Sequence, residues 1–398
     1  MKELFRFFKH HYKQVGFGGS LTFLSSFGQT FLISLYVPEI IKTFNIKENV
    51  FGSLYAIATV ISSILLLTIG HSIDHKSVKK TTTITLIGLA ISLFLLGFSH
   101  YHLSLLVLSL IGLRLSGQGM LSHISQTVMA RLFVKDRGKA LSISSLGFSL
   151  GEALFPIFIS SFIIWWGYET TAHISAAFIL LCLLALNFIP LEQFDYVNNA
   201  SKAKLTTKNL IKDYRSILLD KKFLILMPAS FSLSFTSTSV FFYQYVFVEG
   251  KGWSISLYAA FFTAYAMTRF LMSILGGVWV DKYSAKKMFR VYLIPIAIGL
   301  VPFAFMDSII GALIFLIMAG ITTGMAGTIK SATLAELYGV EKLGTIRSLF
   351  TMFMVLSTAL GPFLVGLMIY WNVSFTNIML SLMLFLTFAI INAQRIKN

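Results

Sequence analysis

The sequence predicts an all-α membrane protein whose twelve transmembrane helices form two pseudo-symmetric halves of six. Its composition is the first of three observations that support this prediction. Of 398 residues, 56% are hydrophobic and 12% are charged, and the mean hydropathy is +0.79. Because soluble domains carry about a quarter charged residues, a chain this apolar belongs in a lipid bilayer.

Long apolar runs are the second observation. A helix needs about 20 apolar residues to cross a hydrocarbon core about 30 Å thick, and twelve runs approach that length. They lie near 15–37, 50–70, 81–99, 103–130, 140–164, 171–191, 223–248, 254–280, 289–306, 308–335, 346–370 and 374–392. Each run is a candidate transmembrane helix.

A repeated polar motif between apolar runs is the third observation. The segment "GHSIDHKSVKK" at 70–80 is matched by "GGVWVDKYSAKK" at 276–287, at a constant offset of 207 positions. The matching residues are Gly70, Asp74, Ser77, Lys79 and Lys80 in the first copy, and Gly277, Asp281, Ser284, Lys286 and Lys287 in the second. A second repeat relates "FVKDRGKALSISSLGFSLGEALFP", from Phe133, to "YGVEKLGTIRSLFTMFMVLSTALGP", from Tyr338. The chain therefore divides into a first half at 1–191, a basic cytoplasmic linker at 192–222 and a second half at 223–398.

The net charge of +16 arises from bases that lie mostly on one side of the candidate spans. With the N-terminus inside, 26 of the 32 Lys and Arg residues fall in inner loops, three in outer loops and three within spans. Base-rich loops are typical of the cytoplasmic side, so both termini are expected in the cytoplasm. This pattern favours orientation in a cytoplasmic (inner) membrane and attraction to anionic lipids over binding of nucleic acid.

Two shorter segments also carry predictions. Residues 1–14 are basic and aromatic and predict an interfacial helix before the first span. The linker portion "TTKNLIKDYRSILLD" has apolar residues at helical spacing, which predicts a helix on the membrane surface. The single cysteine, Cys182, excludes an intrachain disulfide.

The two halves, their acid-and-base loops and the basic linker resemble the major facilitator superfamily. The resemblance covers nearly the whole chain. It implies a secondary transporter that works by alternating access, with a small-molecule substrate bound between the halves near the membrane midplane. We expect a monomer with no cofactor and no metal.

The loop motif is expected to gate the cytoplasmic side. Its glycine allows close helix approach, and its acid can meet bases and helix ends in the neighbouring loop. The expected gating residues are Gly70, Asp74, Lys79, Gly277, Asp281 and Lys286. Solvated loop acids are the alternative, which the repetition in both halves disfavours. His75 stands where the family pattern has a base, and Ser77 and Ser284 stand where it has glycine, so the first-half contact is expected to be weaker or pH-sensitive.

Ionisable residues within the candidate spans are candidates for coupling and binding, because charges in lipid are costly. Arg114, in "RLSGQG", resembles the family's arginine-glycine motif of the fourth helix. Glu152 lies at a similar depth in the next span and is the preferred proton carrier. A structural ion pair between Arg114 and Glu152 is an equally good interpretation. His123 is the reserve carrier, with a packing role as its alternative.

Arg269 is the candidate anion site, because the sequence offers it no acid at similar depth in its own half. A guanidinium binds carboxylates bidentately. Tyr243 and Gln244 in the seventh span and Gln29 in the first could add hydrogen bonds, although helix packing is the favoured interpretation of each residue taken singly. An arginine in the eighth span, together with a seventh span that carries aromatic residues and a glutamine, is similar to the monocarboxylate and oxalate-formate porter branches. This resemblance is weaker than the resemblance to the superfamily.

These features predict a proton-coupled secondary transporter of a small organic anion. Export of drugs or a siderophore is the alternative within transport. The family's drug antiporters carry a glycine-proline motif in the fifth helix, and "GFSLGEALFP" has Glu152 where the proline is expected. A transporter-like receptor or a membrane enzyme is the alternative from another class. An enzyme is disfavoured because the sequence contains no acid-histidine cluster near one membrane face, no phosphate-binding glycine loop and no zinc-ligand spacing.

Overall fold

The computed structural model describes residues 2–46, 48–186, 194, 207–341 and 343–396. Within these ranges the chain is helical and contains no strand. The α-helices are α1 (Lys2–Leu24), α2 (Thr30–Ile33), α3 (Val37–Phe44), α4 (Glu48–Gly70), α5 (Val78–Gly97), α6 (Leu103–Gly112), α7 (Ser122–Leu132), α8 (Arg137–Leu186), α9 (Thr207–Leu218), α10 (Lys221–Phe242), α11 (Gln244–Gly250), α12 (Ile255–Tyr283), α13 (Ala285–Val291), α14 (Ile294–Phe305), α15 (Ile310–Tyr338), α16 (Leu343–Tyr370) and α17 (Phe375–Ala393). The all-α membrane fold is thereby confirmed.

Ten helices in the described part of the chain are long and apolar enough to cross a membrane. The difference from twelve candidate runs has two causes. The 50-residue α8 contains the fifth run and residues 171–186 of the sixth, whose positions 187–191 lie outside the described residues. It breaks at Gly167, whose φ of 78° lies in the left-handed region that favours glycine. The first run is divided, because α1 ends at Leu24 and a 3-10 turn, Ser25–Gly28, separates it from α2.

The break in the first run lies where the chain crosses a π-helical segment, Leu113–Leu121. A Cβ atom at Gly117 would lie 2.5 Å from the Gly28 nitrogen and 2.6 Å from its Cα. A Cβ atom at Gly28 would in turn lie 2.7 Å from the Gly117 Cα. Only glycine permits this backbone approach. The crossing places the residues that follow Gly28 beside Arg114.

The helices form two compact units. The first contains Met1–Leu132, Ser144–Lys204 and Val340–Val355, and the second contains Phe133–Ile143, Leu205–Gly339 and Leu356–Asn398. Each unit therefore includes a short segment from the other half of the sequence. Those two segments contain the first turns of α16 and of α8. The division of the sequence at 191 and 222 stays a prediction.

Both shorter segments form the expected helices. The N-terminal residues belong to α1, and the linker contains α9. Positions 192, 193 and 195–206 of the linker lie outside the described residues. Placement of either helix on a membrane surface stays a prediction.

A lysine stabilises the predicted outer end of the second unit. The Lys251 Nζ donates hydrogen bonds to the carbonyl oxygens of Ala304, at 2.9 Å, and Met306, at 3.0 Å, where α14 ends. The same ammonium lies 5.4 Å from the centre of the Trp253 ring and 5.2 Å from that of Phe375. A cation that binds the last carbonyls of a helix satisfies its acceptors and complements its dipole.

Replacing Lys251 with methionine is expected to destabilise the protein by about 1–3 kcal/mol, because it removes charge-assisted hydrogen bonds while keeping the apolar stem. Thermal unfolding of the purified protein measures this effect. Lys42→Met is the matched control, since Lys42 is exposed near the end of α3. Equal unfolding temperatures for the two variants would show that these contacts contribute nothing.

Candidate functional site

Asp74 of the first loop motif binds the first turn of α16. Its carboxylate accepts hydrogen bonds from the Gly344 N–H at 2.8 Å, the Thr345 N–H at 2.6 Å and the Thr345 hydroxyl at 2.7 Å. It also pairs with Arg131, and the two side chains are only 3% and 6% exposed. An acid at a helix N-terminus satisfies free N–H donors and complements the helix dipole. Asp74 thus caps α16 within a buried ion pair.

Arg131 connects three parts of this contact. Its Nη1 donates to the carbonyl oxygen of Ile73 at 3.0 Å, its Nε donates to that of Val340 at 3.1 Å, and its Nη2 bonds Asp74. Close packing accompanies these bonds, because a Cβ atom at Gly70 would lie 2.5 Å from the Ser348 Cβ of α16. A larger residue at 70 would push α16 away from the carboxylate.

Asp281 of the second motif makes the corresponding contact with the first turn of α8. Its two oxygens accept hydrogen bonds from the Gly138 N–H at 2.8 Å and the Lys139 N–H at 3.1 Å. A Cβ atom at Gly277 would lie 2.5 Å from the Gly138 carbonyl oxygen. One turn further along α8, the Ser142 hydroxyl donates to the carbonyl oxygen of Ser273. Both motifs therefore use a glycine for close approach and an acid as a helix cap.

The two copies differ in a way that the sequence did not predict. Asp74 has three hydrogen bonds from α16 and a buried arginine partner, whereas Asp281 accepts two backbone hydrogen bonds and is exposed. Arg131 of α7 supplies a base to the first-half contact, and the expectation that His75 makes this contact weaker or pH-sensitive stays a prediction. Of the two serines at glycine positions, Ser284 has a φ of 77° and Ser77 has a φ of −60°. Only the second copy therefore uses the left-handed backbone that glycine favours.

The two lysines expected to take part in the gate are partly covered by their surroundings. Lys79 and Lys286 are both half-buried, in the first turns of α5 and α13. The Lys286 N–H donates to Glu336 at 3.4 Å, and the Ala285 N–H donates to the same carboxylate at 3.0 Å. Glu336 of α15 thus caps α13.

Sequence reasoning missed the partners of both acids. Gly344 and Thr345 hold Asp74, and Gly138 and Lys139 hold Asp281. The signal was present, because the repeat beginning at Phe133 and Tyr338 contains all four of these positions. A recurring glycine in that repeat marks the helix start that each acid caps.

Arg114 lies in the π-helical segment, within the membrane-length stretch Leu103–Leu132, and is 1% exposed. Its Nη1 donates to the Gly28 carbonyl oxygen at 3.3 Å and to the Thr30 hydroxyl at 3.2 Å. Its guanidinium carbon lies 5.1 Å from the centre of the Tyr55 ring, and the Tyr55 hydroxyl lies 2.8 Å from that of Thr30. Neutral oxygens and an aromatic face therefore surround part of the cation. π-helical segments often occur at functional sites.

The predicted reserve proton carrier, His123, is fully buried on α7. Its Nε2 lies 2.9 Å from the carbonyl oxygen of Gly70, the gating glycine. A carbonyl can only accept, so Nε2 carries the proton and donates it. His123 therefore joins α7 to the C-terminal end of α4 by a hydrogen bond, and its role as a reserve proton carrier or a packing residue stays a prediction.

The remaining candidates lie on separate elements. Glu152 on α8 is half-buried and belongs to the first unit, as does Gln29, which follows the 3-10 turn. Half-buried Arg269 lies on α12, where a Cβ atom at Gly324 of α15 would lie 2.5 Å from the Arg269 carbonyl oxygen. Close packing of α15 therefore fixes the Arg269 backbone.

Tyr243 and Gln244 follow the end of α10 in the second unit, and both are half-buried. The Tyr258 hydroxyl donates to the Gln244 Oε1 at 3.3 Å. One turn before Arg269 on α12, the Tyr265 ring packs 5.2 Å from that of Phe241, and its hydroxyl lies 3.3 Å from that of Thr323. Aromatic and hydroxyl groups therefore line the α12 face that precedes Arg269.

No group of three or more metal-ligating side chains occurs in the part of the chain that the structure describes. The chemistry available at the described sites is that of arginines, carboxylates, hydroxyls and aromatic rings within membrane-length helices. Groups of this kind can bind and orient a polar solute, as the residues that line a membrane transporter do.

Comparison with known proteins agrees with this class. The Major Facilitator Superfamily model matches residues 19–272 and 249–394, and the chain belongs to this superfamily. No curated protein matches the sequence significantly.

Solved structures share the fold at low sequence identity. The human organic anion transporter MFSD10 (TETRAN) is 15% identical, with a TM-score of 0.76 and coverage of 97% of this chain and 99% of that chain. The E. coli fucose:proton symporter FucP is 17% identical, with a TM-score of 0.73 and coverage of 96% and 98%. The proton:xylose symporter XylE is 16% identical, with a TM-score of 0.72 and coverage of 96% and 94%. The protein is therefore a multi-pass membrane protein with the superfamily's fold.

Proposed function

We propose that this transporter moves a small organic anion across the cytoplasmic membrane by alternating access, coupled to protons. In this proposal both termini lie in the cytoplasm and the protein acts as a monomer. Among the structural neighbours, one is described as an organic anion transporter and two as proton symporters. Those likenesses establish the fold alone, so the proposal rests on this chain's own residues.

Two arginines within membrane-length helices carry the anion assignment. Arg269 is half-buried, so part of its side chain is accessible, whereas Arg114 is enclosed by Gly28, Thr30 and Tyr55. A guanidinium at membrane depth attracts anions strongly because little water screens its charge. Arg269 is therefore assigned to the substrate carboxylate, and Arg114 contributes positive charge at the first-unit site.

Neutral side chains are assigned to orientation of the substrate. Tyr243 and Gln244 supply a hydroxyl and an amide at the end of α10, and Gln29 supplies an amide beside the Arg114 site. A few placed polar groups on an otherwise apolar surface are typical of small-molecule sites. Their number suits a small carboxylate rather than a large drug.

Glu152 is assigned to carry the proton. It is half-buried on α8, directly after Gly151, where a Cβ atom would lie 3.1 Å from the Ser26 Cβ and 3.2 Å from the Phe23 carbonyl oxygen. A carboxyl group that moves between water and a buried environment changes its proton affinity, as coupling requires. His123 is less suited, because its Nε2 is committed to the Gly70 carbonyl.

Asp74 and Asp281 are assigned to the gate. Their caps on α16 and α8 hold the first turns of those helices against the loop motifs, together with Gly70 and Gly277. Lys79 and Lys286 add positive charge to the same loops. Alternating access then requires that these caps break and re-form in each cycle.

A ligand screen tests the substrate class. A compound that binds the folded state raises its unfolding temperature, so purified protein is heated with small carboxylates, amines, sugars and neutral drugs. Stabilisation confined to carboxylates is expected. Stabilisation confined to drugs would instead support the export alternative, and ligand binding without solute movement would support a receptor.

Replacing Glu152 with glutamine is expected to abolish proton-driven accumulation while substrate exchange continues, because an amide binds without carrying a proton. Uptake into proteoliposomes under an imposed pH gradient measures accumulation, and exchange without a gradient measures binding and movement. Glu169→Gln, a second glutamate on α8, is the matched control. Undiminished accumulation in the Glu152 variant would remove this residue from the coupling role.

A further inference from the structure

A cavity of about 400 Å³ opens at the start of α8, and four of the side chains that line it are cationic. Lys135 and Arg137 come from the segment that begins α8, Lys282 from the end of α12 and Lys287 from α13. The three lysines are exposed to solvent and Arg137 is half-buried. The volume is that of a small ligand site.

Two acids also line this cavity, and both are engaged by backbone groups. Asp281 accepts from the N–H groups of Gly138 and Lys139, and Glu336 accepts from that of Ala285 at 3.0 Å. Arg137 lies close enough to both acids to be attracted by each. The three lysines therefore leave the cavity with a surplus of positive charge.

We propose that this cavity binds the phosphate group of an anionic ligand, either the headgroup of a membrane phospholipid or a soluble phosphate. A guanidinium fits phosphate oxygens bidentately, and lysines bind phosphate as point charges. Basic pockets on the cytoplasmic side of membrane proteins bind anionic headgroups, and the loops here lie on the predicted cytoplasmic side. Several cations from three elements suit a phosphate better than one carboxylate.

Binding at this cavity has a consequence for the gate. The lining comes from the start of α8, the α12–α13 turn and the end of α15. A bound phosphate bridges the same two elements that Asp281 joins, so it stabilises the arrangement in which Asp281 caps α8. An anionic ligand would then regulate transport from a site distinct from the assigned substrate residues.

Titration of the unfolding temperature tests the proposal. The purified full-length protein is titrated with phosphatidylglycerol in neutral mixed micelles, and separately with inorganic phosphate at constant ionic strength. The cavity variant carries Lys135→Gln, Lys282→Gln and Lys287→Gln. The control variant carries Lys9→Gln, Lys76→Gln and Lys80→Gln, which remove the same charge from exposed lysines outside the cavity.

The cavity variant is expected to need roughly a hundredfold more ligand to reach half of the maximal stabilisation. Each lysine near an anionic group is expected to contribute about a fivefold change in affinity, and the variant lacks three. The control variant is expected to stay within a few-fold of the native protein. Stabilisation by phosphatidylglycerol alone identifies a lipid headgroup, and stabilisation by inorganic phosphate identifies a soluble ligand.

Equal titrations for the two triple variants, or no stabilisation by either ligand, would overturn the proposal. If the cavity variant does not fold, Lys135→Gln is compared with Lys76→Gln, and about a fivefold difference is expected. A difference below twofold between these single variants would overturn the proposal in the same way.

Discussion

Replacement of Arg269 with alanine is expected to abolish binding of the organic anion while the protein still folds. The guanidinium is assigned to the substrate carboxylate, and hydrogen bonds to a charged group contribute about 1.5–3 kcal/mol each. Loss of two such bonds reduces affinity by about a hundredfold or more. Ligand-induced stabilisation of the purified variant measures this loss.

Replacement of Arg269 with lysine separates the role of charge from that of shape. Lysine keeps the positive charge but lacks the planar fork that binds a carboxylate bidentately, so strongly weakened binding is expected. Arg215→Ala is the control, because Arg215 is exposed on α9. Unchanged anion binding in the Arg269→Ala variant would refute the assignment of an organic anion.

A structural role for Arg269 makes a different prediction. If Arg269 and Glu152 stabilise each other, Arg269→Ala lowers stability and the added Glu152→Gln change restores it, as a double-mutant comparison reveals. Loss of binding with normal stability supports the substrate role. Stability and binding are therefore both measured for each variant.

Replacement of Asp74 with alanine is expected to cause the largest loss of stability among the gate residues. The change leaves the buried Arg131 guanidinium without its carboxylate and removes three hydrogen bonds from the start of α16. Breaking a buried ion pair by removing one partner costs about 3–5 kcal/mol. Thermal unfolding in the absence of ligand measures the loss.

Asp281→Ala is the matched variant at the repeated position. Asp281 is exposed and accepts two backbone hydrogen bonds, and loss of a helix cap typically costs about 0.5–2 kcal/mol. The Asp281 variant is therefore expected to unfold at a higher temperature than the Asp74 variant. The reverse order would show that the buried ion pair contributes less than the exposed cap.

The fold was predictable because a bilayer imposes strong rules on sequence. Apolar length, base-rich loops and the repeated motif each reflect such a rule. Departures occur where a local feature overrides hydropathy. The first run breaks after Leu24 because the backbone crosses closely at Gly28 and Gly117. The π-helical segment around Arg114 does not alter the hydropathy of its run, so hydropathy could not predict it.

The candidate site was predictable only in part. The repeated acids could be found because a charged residue between spans is conspicuous, and the structure shows what they contact. Their partners depend on contacts between positions 74 and 344, or 138 and 281, which lie far apart in sequence. The π-helical setting of Arg114 and its contacts with Thr30 and Tyr55 likewise depend on tertiary packing.

Uptake by proteoliposomes under an imposed proton gradient tests the central claim most directly. Purified protein is reconstituted, and a panel of labelled small carboxylates, sugars, amines and neutral drugs is presented with and without the gradient. The account predicts gradient-dependent accumulation of at least one carboxylate, abolished by Arg269→Ala, and none of the other classes. Accumulation of a sugar, an amine or a drug with no response to any carboxylate would contradict it.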